Sequence, residues 1–462
     1  MNINYRTYII HSAACLAFMV VLLDVSVVNV ALNVMQVSFH ADMSELQWII
    51  NAYALVFSAL LLSAGMLGDI FGSKPIFLTG FALFTVASLG CGLSTELMML
   101  IACRIIQGIG AALLVPSSLS IIRNLFEDDV ARSRAIGWWG ASGGIALAAG
   151  PVVGGILISS LGWSSIFLLN IPLGLIGLWS VGRYAVNSSQ RTRKKSFDIV
   201  GQLVAILTLA ALVSGLIEAS HYGWGSPLIL MALCCAVLGA ITFIFIELHH
   251  PDPMIPLQLF REPVLSSVTI IGLIANLTFY GMIFVLSFYF QSIRHFSPEK
   301  TGIAFLPMMG VLMLVNIISG RMIVNVGAKI LTSVGLTISA IGYGLLLTVT
   351  THSSYWLMVF PMLFAGSGIA LAIPAITNAT LASVHSNQAG IASGILNAAR
   401  QVGGVIGVSL FGTLISGNTD NQFIHGMHVA LIISVGLLLV SAWLGYVKIQ
   451  SKEIQPSYSQ GQ

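Results

Sequence analysis

Gly65-Met-Leu-Gly-Asp69-Ile-Phe-Gly72-Ser-Lys74 returns 255 residues later as Gly320-Arg-Met-Ile-Val-Asn325-Val-Gly327-Ala-Lys329, with glycine, glycine and lysine at the same spacing. A second pair lies 258 residues apart: Gly108-Ile-Gly110-Ala-Ala-Leu-Leu-Val-Pro116 and Gly366-Ser-Gly368-Ile-Ala-Leu-Ala-Ile-Pro374. Glycine and proline recur by chance in apolar helices, so either pair alone says little. Two pairs at nearly one offset point to a duplicated unit. Lys74 and Lys329 fall on the same side of the apolar segments around them, so the copies run in the same sense. Parallel repeats of this kind relate two halves by an axis along the membrane normal and put a substrate site near the midplane between them.

The rest of the chain is that of a membrane protein. Of 462 residues, 57% are apolar and 8% are charged, and the mean hydropathy is +0.95. Soluble domains carry roughly 25% charged residues. Nineteen Lys+Arg and 16 Asp+Glu cannot cover a soluble surface of this size. A soluble enzyme, a nucleic-acid binder and a disordered chain are thereby excluded, and a net charge of +3 makes no basic face for a phosphate backbone. Cys15, Cys91, Cys103, Cys234 and Cys235 all sit in apolar runs, with no CxxC pair and no Cys/His cluster. They read as packing residues, and neither a disulfide framework nor a metal site is expected. There is no GxxxxGK[ST] phosphate loop for ATP-driven pumping, and no cofactor is expected.

A spanning helix needs about 20 apolar residues, because the hydrocarbon core is about 30 Å thick. Fourteen segments qualify, near 8–34, 46–68, 76–94, 97–122, 135–160, 163–184, 198–218, 227–248, 264–290, 300–321, 328–349, 354–378, 389–416 and 425–447. The first is too long for a cleaved signal peptide and carries Asp24. One copy of the repeat occupies spans 2 to 4 and the other spans 10 to 12, a shift of eight helices rather than six. The chain is therefore expected to be an all-α polytopic protein: a six-helix bundle (1–185), an inserted helix pair (186–263) and a second six-helix bundle with a tail (264–462). With the N-terminus inside, 15 of the 19 Lys and Arg fall on inner loops and ends, and only Arg294 and Lys300 fall outside. That bias puts both termini in the cytoplasm, with Arg191-Thr-Arg-Lys-Lys195 as the strongest inner anchor.

Leu23-Asp24-Val-Ser-Val-Val-Asn29-Val-Ala-Leu32 resembles the first-helix motif of the fourteen-helix drug/proton antiporters of the major facilitator superfamily. Gly65–Lys74 resembles motif A, Arg104-Ile-Ile-Gln107-Gly108-Ile-Gly110-Ala-Ala112 motif B, and Gly150-Pro151-Val-Val-Gly154-Gly155 the antiporter motif C. Trp163-Ser-Ser-Ile-Phe167-Leu-Leu-Asn170-Ile-Pro172-Leu-Gly174 and the loop His250–Phe260 match as well. The order of these motifs along the chain is far more specific than any one of them. The chain departs from the pattern at Ile70 and Ser73, where motif A usually has basic residues, and at Ala146, where a glycine is expected. The second copy of the loop carries Asn325 and no acid.

Asp24 lies 16 residues into the first span, about 24 Å along it. A buried ionisable group costs several kcal/mol and marks a functional candidate, and the resemblance implies a proton-coupling site. Arg104 lies about 10 Å below the outer end of span 4 and Asp24 about 16 Å below that of span 1. An arginine side chain spans the difference, so an Asp24–Arg104 pair is expected, with Gln107 one turn on. A permanent structural ion pair is the plain alternative. Trp48, Tyr53, Phe57, Gln107, Tyr280, Phe284 and Arg400 are candidates to line a substrate cavity through cation–π and polar contacts. Lipid contact or packing is the plain alternative for each aromatic, and a structural role for Arg400. Gly65, Asp69, Gly72 and Lys74 would latch an inner gate, with Asp69 accepting from a helix N-terminus when the outer side is open. Gly150, Pro151, Gly154 and Gly155 would form a hinge and close-packing face.

The resemblance implies a monomeric, proton-coupled transporter in a prokaryotic plasma membrane that exports lipophilic, cationic drugs or antiseptics. Two alternatives stand beside it: a dedicated exporter of one natural metabolite, an antibiotic or siderophore, and a membrane receptor or enzyme without flux.

Overall fold

The computed structural model describes residues 5–126, 128–185, 198–385, 388–417 and 419–449, and the basic run 191–195 lies outside them. Fourteen helices among these are long and apolar enough to cross a membrane. They are α1 Tyr5–Phe39, α2 Met43–Phe71, α3 Ser73–Gly92, α4 Leu97–Leu125, α5 Val130–Leu161, α6 Ser165–Tyr184, α7 Ile199–Tyr222, α8 Pro227–His249, α9 Pro263–Ile293, α10 Pro298–Val326, α11 Ala328–Leu346, α12 Tyr355–Ala382, α13 Ala389–Leu414 and α14 Asp420–Lys448. Several overrun the apolar segments, because capping carries them on. Asp42 accepts from the Glu45 amide and Glu45 reaches back to the Asp42 amide, which starts α2 ahead of its apolar run.

The packing repeats with a shift of eight. In the first six helices, α1 packs on α5 and α6, α4 on α2 and α3, and α3 on α6. In the last six, α9 packs on α13 and α14, α12 on α10 and α11, and α11 on α14. Between the halves, α5 meets α10 and α2 meets α13, contacts that the same shift exchanges. The molecule is therefore two like bundles about a pseudo-two-fold axis. Helices α7 and α8 form an inserted hairpin whose α7 packs on both α2 and α13.

The duplicated glycines have matching jobs. Gly72 (φ +91°) joins α2 to α3 and Gly327 (φ +84°) joins α10 to α11, each a one-residue turn in a region where side chains are strained. Gly110 meets the Gly80 backbone where α4 crosses α3, and Gly368 meets Gly335 where α12 crosses α11. Gly108 lies on Tyr53 of α2, and Gly366 on Met308 of α10, so backbones approach closely in both halves.

The end at which α1 begins and α14 finishes is called here the terminal end, and its opposite the far end. Contacts between halves gather at the far end. The Ser287 hydroxyl donates to the Asn29 carbonyl (2.7 Å), Asn33 donates to Ser292 (2.9 Å) and Asn51 to Ser409 (3.1 Å). Gly155 abuts Pro298 and Glu299, and Gly302 abuts Pro151. Toward the terminal end, a Cβ placed on Gly137 or Gly140 of α5, or on Gly320 of α10, would meet nothing within 4 Å. The α2–α13 seam stays packed, with Leu62 against Gly394. The halves are thus sealed at the far end and part between α5 and α10 toward the terminal end.

Candidate functional site

Five helices of the first bundle converge on one carboxylate. Asp24 of α1 is 3% exposed and Arg104 of α4 is 1% exposed. The Arg104 guanidinium donates to Asp24 Oδ2 and, at 2.8 Å, to Gln107 Oε1, while its Nε donates to the Ile49 carbonyl of α2 (3.0 Å). Gln107 Nε2 donates to Asp24 Oδ1 (2.9 Å) and to Ser88 Oγ of α3 (2.8 Å). Asn170 Nδ2, on α6, also reaches Asp24 Oδ1 (3.2 Å) and Ser88 (3.3 Å). The Tyr53 ring lies 4.2 Å from the guanidinium carbon and the Phe167 ring 5.7 Å away. The carboxylate therefore accepts from three side chains, and the cation holds two neutral acceptors and a ring face besides its ionic partner.

Among the described residues the second bundle has no such cluster. By the 258-residue offset, Met362 stands for Arg104 and Ala365 for Gln107, and by the 255-residue offset Tyr343 stands for Ser88. All three are buried in an apolar core.

Asp24, Arg104 and Gln107 come together as their spacing suggests. Asn170 and Ser88 complete the cluster without having been singled out. A polar side chain at the start of span 6 was the available signal for Asn170, whereas a serine on an apolar helix gives none. Cys91 is more than a packing residue, since its thiol faces Gln107 Oε1 at 3.7 Å.

The expected cavity wall is largely elsewhere. Tyr53, Phe57, Gln107 and Phe284 are at most 2% exposed, so they pack or cradle Arg104 and do not line an open space in this conformation. Trp48 turns to the inserted hairpin, where its indole N–H donates to Glu218 of α7 (3.1 Å). Only Tyr280 and Arg400, on α9 and α13, keep partial exposure deep in the spans. Glu247 sits at the end of α8. It is 3% exposed and accepts from the Ile255 amide (3.0 Å), fixing the loop that follows.

Of the loop residues, Lys74 donates to the Gly182 and Ala185 carbonyls (3.1 and 2.6 Å), pinning α3 to the C-terminus of α6. Its repeat mate Lys329 lies 4.4 Å from the ring of Tyr446 on α14, the equivalent helix. A cation at a helix C-terminus is favoured by the dipole. Asp69 is exposed, and no described residue bonds to it, so it is not latched to a helix N-terminus here. Gly65 rests on Pro116 (3.8 Å). In α5, Gly150 lies on Ser26, Gly154 on Val27, and Gly155 on the other half. The four-residue motif with Pro151 thus sits between α1, two residues beyond Asp24, and α10.

The profile described as Major Facilitator Superfamily matches residues 14–408 and again 316–458. The chain is 34% identical to the Methylenomycin A resistance protein of Streptomyces coelicolor, over 94% of this chain and 91% of that one. It is 34% identical to Multidrug resistance protein Stp of Mycobacterium tuberculosis, over 87% of this chain and 75% of that one. The structure of the xylose transporter XylE from E. coli superposes with a TM-score of 0.67 at 14% identity, covering 98% of this chain and all of that one, a likeness of fold.

Proposed function

Because the chain belongs to the major facilitator superfamily, we propose that it exports amphipathic drug-like compounds across a prokaryotic plasma membrane in exchange for protons, as a monomer working by alternating access. The observation that carries the coupling is the sealed mid-span carboxylate of Asp24 and its three donors. An ionised carboxylate only accepts, whereas a protonated one must also donate. Taking up a proton therefore makes one of Arg104, Gln107 or Asn170 turn away, which shifts α4 or α6 against α1. Arg104 is not stranded by this, since the Ile49 carbonyl, Gln107 and the Tyr53 ring remain around it. Helix α1 passes the change outward through Ser26 and Val27 to the α5 glycines, and through Asn29 to α9.

Basic residues at the terminal end, among them Arg6, Lys74, Arg123 and Lys329, support a cytoplasmic placing of that end. The far-end seal is then the inward-open arrangement, in which cargo enters. The name of the mycobacterial relative supports a broad substrate range. The name of the Streptomyces coelicolor relative supports the second reading, a dedicated exporter of one natural product. Reconstituted vesicles under an imposed pH gradient test both. Flux that a protonophore collapses is expected, and its breadth across cationic, neutral and anionic amphipaths decides between them. Absence of flux for every compound contradicts transport and leaves a receptor.

A further inference from the structure

Among the described spans, three charged side chains lie more than five residues from a helix end: Asp24, Arg104 and Arg400. The first two neutralise one another inside the first bundle. Arg400 is left over, at mid-depth in α13, and arginine keeps its charge at any working pH. Its stem runs along α9, where a Cβ on Gly272 would lie 3.3 Å from Arg400 Cγ. Its Nε is buried without a hydrogen-bond partner. The ring of Tyr280 lies on Gly404, one turn along α13 from Arg400, and the two side chains are close enough to interact electrostatically. Among the described residues no protein group hydrogen-bonds the Tyr280 hydroxyl, Asn397, Arg400 or Gln401, so one stretch of α13 and its α9 neighbour presents unpaired polar groups. Unlike the fully buried Gln47, Asn397, Arg400 and Gln401 keep some exposure, so water or a polar ligand can reach these groups at membrane depth. Residues 397, 400/401 and 404 share a helix face that lies between the α9 contacts of α13, at Gly403 and Gly407, and its α2 contacts, at Gly394, Ser409 and Gly412, so it borders the other bundle.

We infer that Arg400, with the Tyr280 hydroxyl beside it, binds the carboxylate of an amphipathic anionic substrate. This rests on the exporter reading and deepens it. It replaces the expectation of a cationic cargo, for which the described residues offer no free acid at mid-depth: Asp24 is held by Arg104, and the rings of Tyr53, Phe57 and Phe284 are buried. A guanidinium pairs with a carboxylate through two parallel N–H donors, and the pairing is strong where water is scarce.

Three probes with one ring system separate charge from shape: 1-naphthoate, 1-naphthamide and 1-naphthylmethylammonium, titrated into the purified full-length protein in detergent. Naphthoate is expected to bind at least about tenfold more tightly than the amide or the ammonium. Arg400→Gln should bring naphthoate down to the amide's affinity, Arg400→Lys should keep part of the preference, and Tyr280→Phe should cost a few-fold. Naphthoate binding no tighter than naphthamide in the wild type overturns the inference, as does an undiminished preference in Arg400→Gln. If Arg400→Gln fails to fold, the wild-type series and Tyr280→Phe decide. Binding needs no turnover, so a carboxylate preference without flux sinks the exporter reading alone. Flux without that preference sinks only this inference.

Discussion

Arg104 shows how much one side chain organises. It fixes Asp24 of α1, Gln107 of its own helix and the Ile49 carbonyl of α2 at once. Removing one partner of a buried pair strands the other and costs about 3–5 kcal/mol. Arg104→Met should therefore lower the unfolding temperature in detergent markedly. Adding Asp24→Asn should recover part of the loss, because the stranded charge goes with it. Strict additivity of the two losses would show that the residues do not act as a pair. The pair was legible in the sequence, since an acid and an arginine in neighbouring apolar spans have few other ways to be satisfied. The amide shell was only half legible. Gln107 shares a face with Arg104 at a spacing of three, but Asn170 lies 146 residues from Asp24 and Ser88 lies on a different helix, 19 residues from Gln107. The aromatic candidates misled because ring content does not distinguish a cavity wall from a packed core.

Helix α5 carries the link between the proton site and the other bundle. A side chain begun at Gly150 would press on Ser26 at 2.5 Å, and overpacking of this kind costs about 1–3 kcal/mol. Gly150→Leu should slow turnover while the protein still binds substrate, and normal turnover in that variant would remove the motif from the motion. Helix α2 gives a change of opposite sign. Gln47 is fully buried against Gly412 of α13, and both its amide atoms lack partners. Gln47→Met keeps the shape and removes an unsatisfied group worth about 1–3 kcal/mol. It should raise the unfolding temperature and slow opening of the far end. An unchanged or lower unfolding temperature would show that the amide is satisfied in solution. Helix ends were less legible than helix centres, because hydropathy sees the oil-facing stretch and not the caps that extend it.

At the scale of the whole molecule, the duplicated loop was the most informative stretch. Gly72 and Gly327 set the same one-residue turn, and the shift of eight helices carries every major contact of one bundle onto the other. What the repeat could not foretell is its asymmetry: the first bundle holds the carboxylate and its shell, and the second holds Arg400 beside the interface. Nor does sequence record which end is closed. A cysteine at Gly140 or Gly320 should react with a water-soluble thiol reagent added from the terminal end, and substrate with a pH gradient should slow that reaction. Equal reactivity under all conditions would contradict alternating access. The most direct test of the central claim uses Asp24→Asn in proteoliposomes, with substrate exchange and gradient-driven transport measured side by side. Exchange should persist while accumulation against a gradient disappears. Accumulation equal to the wild type would show that Asp24 does not carry the coupling proton.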